Sequence, residues 1–183
     1  MDAPSIIDIL TPLVAGAAYE AAPSVDFATI HVPAGHLLPT CQALRDTPSL
    51  RFNVLLEVTA VDYLPREPRF EVIYHLLSIP LRQRVRLKVR VGSHEVDGTV
   101  PTVQSVWPGA GWPEREVWDM FGIVFAGHED LRRLLLPEDW EGHPARKDYP
   151  VQIRKATQTY EPLEVTEEEF KANLQRDRQR RLQ

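Results

Sequence analysis

Much that would assign this chain a chemistry is missing from it. Of its 183 residues only one, Cys41, is a cysteine. A single thiol cannot close an intrachain disulfide, and an iron–sulfur cluster normally takes about four cysteine ligands. Any cluster that accompanies the protein is therefore expected on a neighbour. No apolar run approaches the roughly 20 residues that cross a bilayer; the longest, at 54–61 and 73–81, are strand-sized. The first Lys or Arg is Arg45, so Met1-Asp2-Ala3-Pro4 has no basic region behind it, and neither a secretory signal nor an Arg-rich transit peptide is expected. The six histidines include no His-x-x-x-His pair, which would set two imidazoles on one helical face. Glycine is scarce, and Gly109-Ala110-Gly111 lacks both the further glycine and the preceding strand of a phosphate loop. The net charge of −5 gives no general argument for nucleic acid or anionic lipid.

What is present describes an ordinary domain with stiff connections. Hydrophobic residues make up 43% and charged residues 26%, enough for a core. Sixteen prolines suggest extended links and turns. Residues 5–14 carry Ile6, Ile7, Ile9, Leu10 and Leu13 at helical spacing, with Ser5 as cap and Pro12 near the end. A second short helix is expected over 37–45, burying Leu37, Leu38, Cys41 and Leu44, with Pro39 in its first turn. The period then changes to two. Val54, Leu56, Val58 and Ala60 alternate with Asn53, Glu57 and Thr59; Phe70, Val72, Tyr74 and Leu76 with Glu71 and His75; and Val85, Leu87, Val89 and Val91 with Arg84, Arg86, Lys88 and Arg90. Three strands joined by short links give antiparallel neighbours.

A helical turn is expected after Pro101, and a helix over 114–121 stopped by Gly122. Residues 137–163 read as an extended arm. Thr166 with Glu169 forms a capping box for a terminal helix, whose last turns gather Arg176, Arg178, Arg180 and Arg181. The expectation is an α+β fold: an antiparallel sheet with helices packed on one face over 1–136, then an extended C-terminal arm with a terminal helix, 137–183, that docks on a partner.

Four groups of residues invite a functional reading. His128 and His143, with Asp130, Asp139 and Glu141, are metal-ligand types, but scattered residues of this kind usually brace loops. The basic strand (Arg82, Arg84, Arg86, Lys88, Arg90) could follow a phosphate backbone. No aromatic residues interleave to stack bases, so a solvated or partner-facing strand is the better reading. In Glu114-Arg115-Glu116 and Trp118-Asp119, Arg115 and Asp119 are placed to pair at i, i+4. Glu116 and Asp119 could lie side by side as an acid–base pair. An ion network against packed loops or a partner suits these residues better, because no nucleophile accompanies them. Between Gly142 and Pro150, the charges of Arg146, Lys147 and Asp148 beside Tyr149 describe either a rigid segment suited to docking or, equally well, an ordinary surface loop.

The run Glu114-Arg115-Glu116-Val117-Trp118-Asp119-Met120-Phe121-Gly122-Ile123, then Gly127-His128 and Asp130-Leu131-Arg132-Arg133-Leu134-Leu135, resembles the C subunit of respiratory complex I, the NADH:quinone oxidoreductase. So do Pro137, Asp139-Trp140, Gly142-His143-Pro144 and Arg146-Lys147-Asp148-Tyr149-Pro150, and upstream Leu50-Arg51-Phe52, Val61-Asp62-Tyr63-Leu64 and Tyr74-His75-Leu76-Leu77. Ala145 stands where that family usually has leucine. The resemblance covers 50–150. It implies a cofactor-free building subunit of the peripheral arm, packed against the D subunit near the quinone site, on the cytoplasmic side of a bacterial inner membrane. NADH, FMN, iron–sulfur clusters and quinone would belong to the whole complex, which drives ion translocation. The resemblance further implies that Glu114, Arg115, Glu116, Trp118, Asp119, His128, Arg132, Arg133, Trp140, His143, Arg146, Lys147, Asp148 and Tyr149 form the interface between subunits. The equivalent subunit of a related membrane-bound hydrogenase, or of a dehydrogenase with another electron donor, would look similar.

Overall fold

A computed structural model describes residues 1–150 and 166–180, and the chain divides into two units, 1–150 and 151–183. Part of the expected arm, 151–163, lies outside the described residues, as do Arg181 and the side chains of Arg178 and Arg180.

Helix α1 spans Ala3–Leu10 and starts two residues before the expected position. Asp2, not Ser5, is the cap: its carboxylate accepts the Ser5 N–H at 3.2 Å, and Pro4 sits in the first turn, where its missing N–H costs nothing. The helix stops at Leu10, short of Pro12, whose ring cannot continue it. Helix α2, Leu37–Asp46, buries Leu37, Cys41 and Leu44 as its spacing predicts.

The three strands expected from period two are β3 (Val54–Asp62), β4 (Phe70–Ser78) and β5 (Gln83–Val91), paired antiparallel. Two further strands complete the sheet, β1 (Glu20–Ala22) and β2 (Ala28–His31), in the order β1-β2-β5-β4-β3. Three of its four pairings are antiparallel, in keeping with the expected antiparallel sheet, and β2 alone lies parallel to its neighbour β5. Strands of three and four residues are too short to show a period.

One face of the sheet is the core. Ile30, Val72, Tyr74, Leu76, Val85, Leu87 and Val89 are buried there in one cluster with Ile6, Leu10, Leu37, Cys41, Leu44 and Val117 from the helices. Burying each large aliphatic or aromatic side chain stabilises by roughly 1.5–3 kcal/mol. The opposite face is charged. Glu71, nearly buried, is held by Lys88 at 2.8 Å and approached by Arg90 at 3.7 Å, which discounts the cost of its burial.

The period of β3 breaks at one residue. Leu55 pairs with Leu76 and Glu57 with His75, so Leu56 is inserted between them as a bulge. Leu55 takes the place against the core that period two assigns to Leu56, and Leu56 is 48% exposed.

Helix α3 spans Gly111–Phe121, preceded by a single turn in which the Val106 and Trp107 N–H groups donate to the Val103 carbonyl. Gly122 ends it with φ +76°, its N–H returning to the Trp118 carbonyl at 2.8 Å. Two short parallel strands, β6 (Thr99–Pro101) and β7 (Val124–Ala126), flank it in sequence. In the second unit, helix α4 (Glu167–Arg180) carries the expected capping box: Thr166 Oγ1 accepts the Glu169 N–H, and a Glu169 carboxylate oxygen accepts the Thr166 N–H. Among the described residues, no helix is long and apolar enough to cross a membrane.

Candidate functional site

The charged run of α3 and the proline-bounded segment after it are brought together, and Glu114, Arg115 and Asp119 are directed inward. Asp119 is fully buried. One of its oxygens accepts three successive N–H groups, of Leu134, Leu135 and Leu136, at 2.8–3.0 Å. The other accepts from Arg133 at 2.8 Å. Burial would raise its pKa, but these donors outweigh it and hold the group below the ordinary carboxylate value. Residues 133–136 are thereby fastened against the last turn of α3.

Arg133 extends the same brace. It also donates to the carbonyls of Trp140 and Gly142, and its guanidinium lies over the Trp118 ring at 5.5 Å. His143 donates from Nδ1 to the Asp119 carbonyl at 2.9 Å and meets Trp118 edge-on. Burial, and then Arg146 and Arg133 nearby, lower the His143 pKa against the opposing pull of that carbonyl. Arg146 donates to the Phe121 carbonyl at 2.6 Å and pairs with Asp97. The Ala145 N–H meets the Met120 carbonyl at 3.0 Å. Orphan carbonyls at the C-terminus of α3 are thus satisfied by residues 143–146. Gly122 makes this possible, since a Cβ there would lie 2.6 Å from the His143 ring and collide with Arg146.

A second clasp holds the end of this segment to the sheet. Arg69, 2% exposed, grips Asp62 through two hydrogen bonds of 3.0 and 2.7 Å and Asp148 through two more of the same lengths. Asp62 also accepts the Lys147 N–H at 2.9 Å. Burial works against ionisation of Asp62, but Arg69 and the Lys147 and Leu64 N–H groups bring its pKa down to about 2. Tyr149 donates to the Glu141 carbonyl at 3.1 Å.

At the other end of α3, the buried Glu114 accepts from the Thr102 hydroxyl and, at 2.8 Å, from the Val103 N–H. Burial raises its pKa in spite of these donors. His128 accepts the Asp130 N–H on Nδ1 and donates from Nε2 to the Gly111 carbonyl.

Several expected pairings are not formed. Arg115 does not pair with Asp119; it donates to the carbonyls of Arg132 and Arg133 and lies 3.5 Å from Asp130, because Asp119 is already enclosed by the 133–136 turn. Glu116 and Asp119 are no acid–base couple, since Glu116 is exposed while Asp119 is buried and fully bonded. His128 and His143 each meet a backbone carbonyl, and among the described residues no three His, Cys, Asp or Glu side chains converge on a metal position. Arg132 and Lys147 are exposed, and Trp140 and Tyr149 are half-buried. Arg69 is not marked by the sequence, and Asp62 stands there only within the run Val61-Asp62-Tyr63-Leu64, with no site role. Nothing local signals their pairing with Asp148, which lies 79 residues beyond Arg69.

Trp112 is a further residue the sequence does not mark. It is 65% exposed at the start of α3, with the Arg115 guanidinium 5.1 Å from its ring centre. Trp112, Glu116, Arg132 and Leu135 are among the large side chains that this braced region leaves open to solvent.

The chain is 49% identical over 132 residues to the C subunit of the NADH-quinone oxidoreductase of Roseiflexus sp. (strain RS-1), covering 72% of this chain and 75% of that one. It is 43% identical over 148 residues to the C subunit of the same enzyme from Azorhizobium caulinodans, covering 76% and 69%. Among solved structures, the trypsin-resistant fragment of Nqo5 superposes with a TM-score of 0.51 at 34% identity, over 63% of this chain and 90% of the fragment. A chain of the membrane-bound sulfane sulfur reductase, an archaeal respiratory membrane complex, superposes with a TM-score of 0.64 at 27% identity, over 81% and 83%. The family described as "Respiratory-chain NADH dehydrogenase, 30 Kd subunit" matches residues 30–155, which contain β3, β4, β5, α3 and both clasps, and the chain belongs to that family.

Proposed function

We propose that this chain is a cofactor-free building subunit in the peripheral arm of a proton-translocating NADH:quinone oxidoreductase. It packs against the D subunit near the quinone site, on the cytoplasmic side of a bacterial inner membrane. NADH, FMN, the iron–sulfur clusters and quinone are handled by its neighbours. One observation carries the reading: about half of the aligned residues are identical to the C subunits of such complexes, over 72% of this chain. The geometry is in keeping with it. The charged side chains around α3 are used to hold a rigid platform, and a rigid platform lowers the ordering cost of docking. Trp112, Glu116, Arg132 and Leu135 are among the parts of that platform available to the D subunit.

The superposition on a chain of the archaeal sulfane sulfur reductase favours a second reading, in which the same fold serves a membrane complex with another electron donor or acceptor. Its identity of 27%, against 49% for the Roseiflexus relative, ranks it second. The test is to tag the chain in its source organism, purify it from gently solubilised membranes and identify its companions. Flavin- and cluster-bearing subunits together with NADH:quinone activity are the expected result. Hydrogenase or sulfur-reductase subunits would move the chain to the second reading, and recovery alone would overturn both. Arg146→Ala should lower the yield of assembled complex without changing flavin chemistry. Full assembly with loss of quinone reduction would sink the platform role and bring Arg146 closer to the quinone.

A further inference from the structure

The second charged region of the sequence lies away from the platform, on the outer face of the sheet, where β3 begins and the β4–β5 link turns. The register sets Arg84 beside Leu77 and Leu77 beside Val54. The Ile79 N–H points to Asn53 Oδ1 at 3.4 Å, joining the turn to the start of β3. Three aliphatic side chains are open at this end: Leu56 (48% exposed), Ile79 (60%) and Leu81 (36%). Leu56 lines a groove of about 480 Å³ together with Phe27, Glu57, His75 and Arg84.

The groove is built rather than incidental. Arg86 is fixed by Asp26 at 2.7 Å and lies 4.6 Å from the Phe27 ring centre, and Phe27 meets the His75 ring edge-on at 5.7 Å. One aromatic wall is therefore held in place. The opposite wall is Leu56, which only the bulge turns outward; a regular strand would have put this residue on the core face. Bulges concentrate where a side chain must be re-aimed. An outward leucine on an otherwise regular strand departs from the local rule in the manner functional surfaces do.

The charge at this end is unmatched. Arg86 has its aspartate, but neither Arg82 nor Arg84 meets a carboxylate among the described residues. Both flank apolar side chains, the usual composition of a protein interface in which arginine and large apolar groups are enriched.

We propose that this groove and the adjoining 79–82 turn form a second docking surface, for an acidic segment of a neighbouring protein in the assembly. An aliphatic side chain of the partner enters between Phe27 and Leu56, and its carboxylates pair with Arg82 and Arg84. The surface rests on the assembly reading only in that the partner belongs to the same complex. An anionic membrane fits less well, because a flat headgroup layer leaves the groove between Phe27 and Leu56 unfilled.

The test is photo-crosslinking of the full chain in its native membranes, with a benzophenone amino acid replacing Leu56 or, as a control on fully exposed ground, Val25. The expected result is a Leu56 adduct, absent at Val25, mapping to an Asp- or Glu-bearing stretch of one neighbouring protein. Arg82→Glu with Arg84→Glu should reduce that adduct at least tenfold, and reversing the mapped carboxylates to lysine should restore it. Adducts to lipid alone, no position-specific adduct, or an adduct that ignores the charge reversal would overturn the proposal. Failure of the platform reading is separate: the tagged wild-type chain would then lack flavin- and cluster-bearing companions, whatever Leu56 captures.

Discussion

Around α3, Asp119 collects three backbone N–H groups and a guanidinium, while Arg133 and Arg146 each satisfy carbonyls that would otherwise be orphaned. On β5 and the turn before it, Arg82 and Arg84 hold no carboxylate among the described residues. The α3 region is densely charged in sequence yet turns its charge inward. The β5 region has the ordinary polar side of a strand and keeps its charge outward. Charge density along a chain therefore does not tell which charges the fold pairs and which it leaves open. The paired ones still contribute, by fixing the backbone on which open residues such as Trp112 stand.

The sharpest way to break this contrast is at Arg69. Arg69→Ala leaves Asp62, whose side chain is 1% exposed, buried without its partner. A loss of about 3–5 kcal/mol is expected in urea unfolding of the full chain, because a stranded buried charge is what removal leaves. A loss below about 1 kcal/mol would mean that the clasp is not a buried pair in solution.

A smaller effect is expected at the helix end. Gly122→Ala puts a Cβ on a backbone of φ +76° and against the His143 ring. The left-handed conformation costs about 1–2 kcal/mol for an L-residue, and displacement of the 143–146 segment adds to it. Thermal unfolding reads the loss; an unchanged midpoint would show that residues 143–146 do not need the close approach.

Acid should act on the same clasp. The folded pKa of Asp62, about 2, lies below its ordinary 3.8, so the folded chain binds this proton less readily than the unfolded one. The stabilisation is present above about pH 4 and is lost as the pH falls toward 2, an amount of about 2 kcal/mol. Arg69→Ala should flatten that part of the stability–pH curve. A curve of the same slope in the variant would assign the acid sensitivity elsewhere. The smallest expected change is at the open surface: Arg84→Ala should alter the stability of the isolated chain by no more than about 0.5 kcal/mol, since it removes no intramolecular partner. A larger loss would mean that Arg84 is braced like Arg133.

Much of the fold is legible in the sequence because its signals are local. Alternation marks β3, β4 and β5; Pro39 and Gly122 bound their helices; Thr166 and Glu169 declare the capping box. The first helix is legible in kind but not in bounds: the spacing runs on to residue 14, and α1 stops at Leu10. The site is legible only as a set of residues. Glu114 to Asp119 and Gly142 to Tyr149 stand out, but their partners do not, because i, i+4 spacing alone sets Arg115 beside Asp119. The fold instead returns Arg133 to Asp119, and three consecutive N–H groups outweigh a single helical neighbour.

By itself the sequence determined the helices, the three long strands β3, β4 and β5 with the buried face of β4 and β5, and the family, since steric limits, hydrogen-bonding capacity and apolar period act within a few residues. Tertiary structure alone decided the parallel β2–β5 pair, the bulge that turns Leu56 outward, and the grip of Arg69 on Asp62 and Asp148. These depend on where distant parts of the chain meet in space, and a side chain's type fixes what it can bond to, not which partner the fold brings to it.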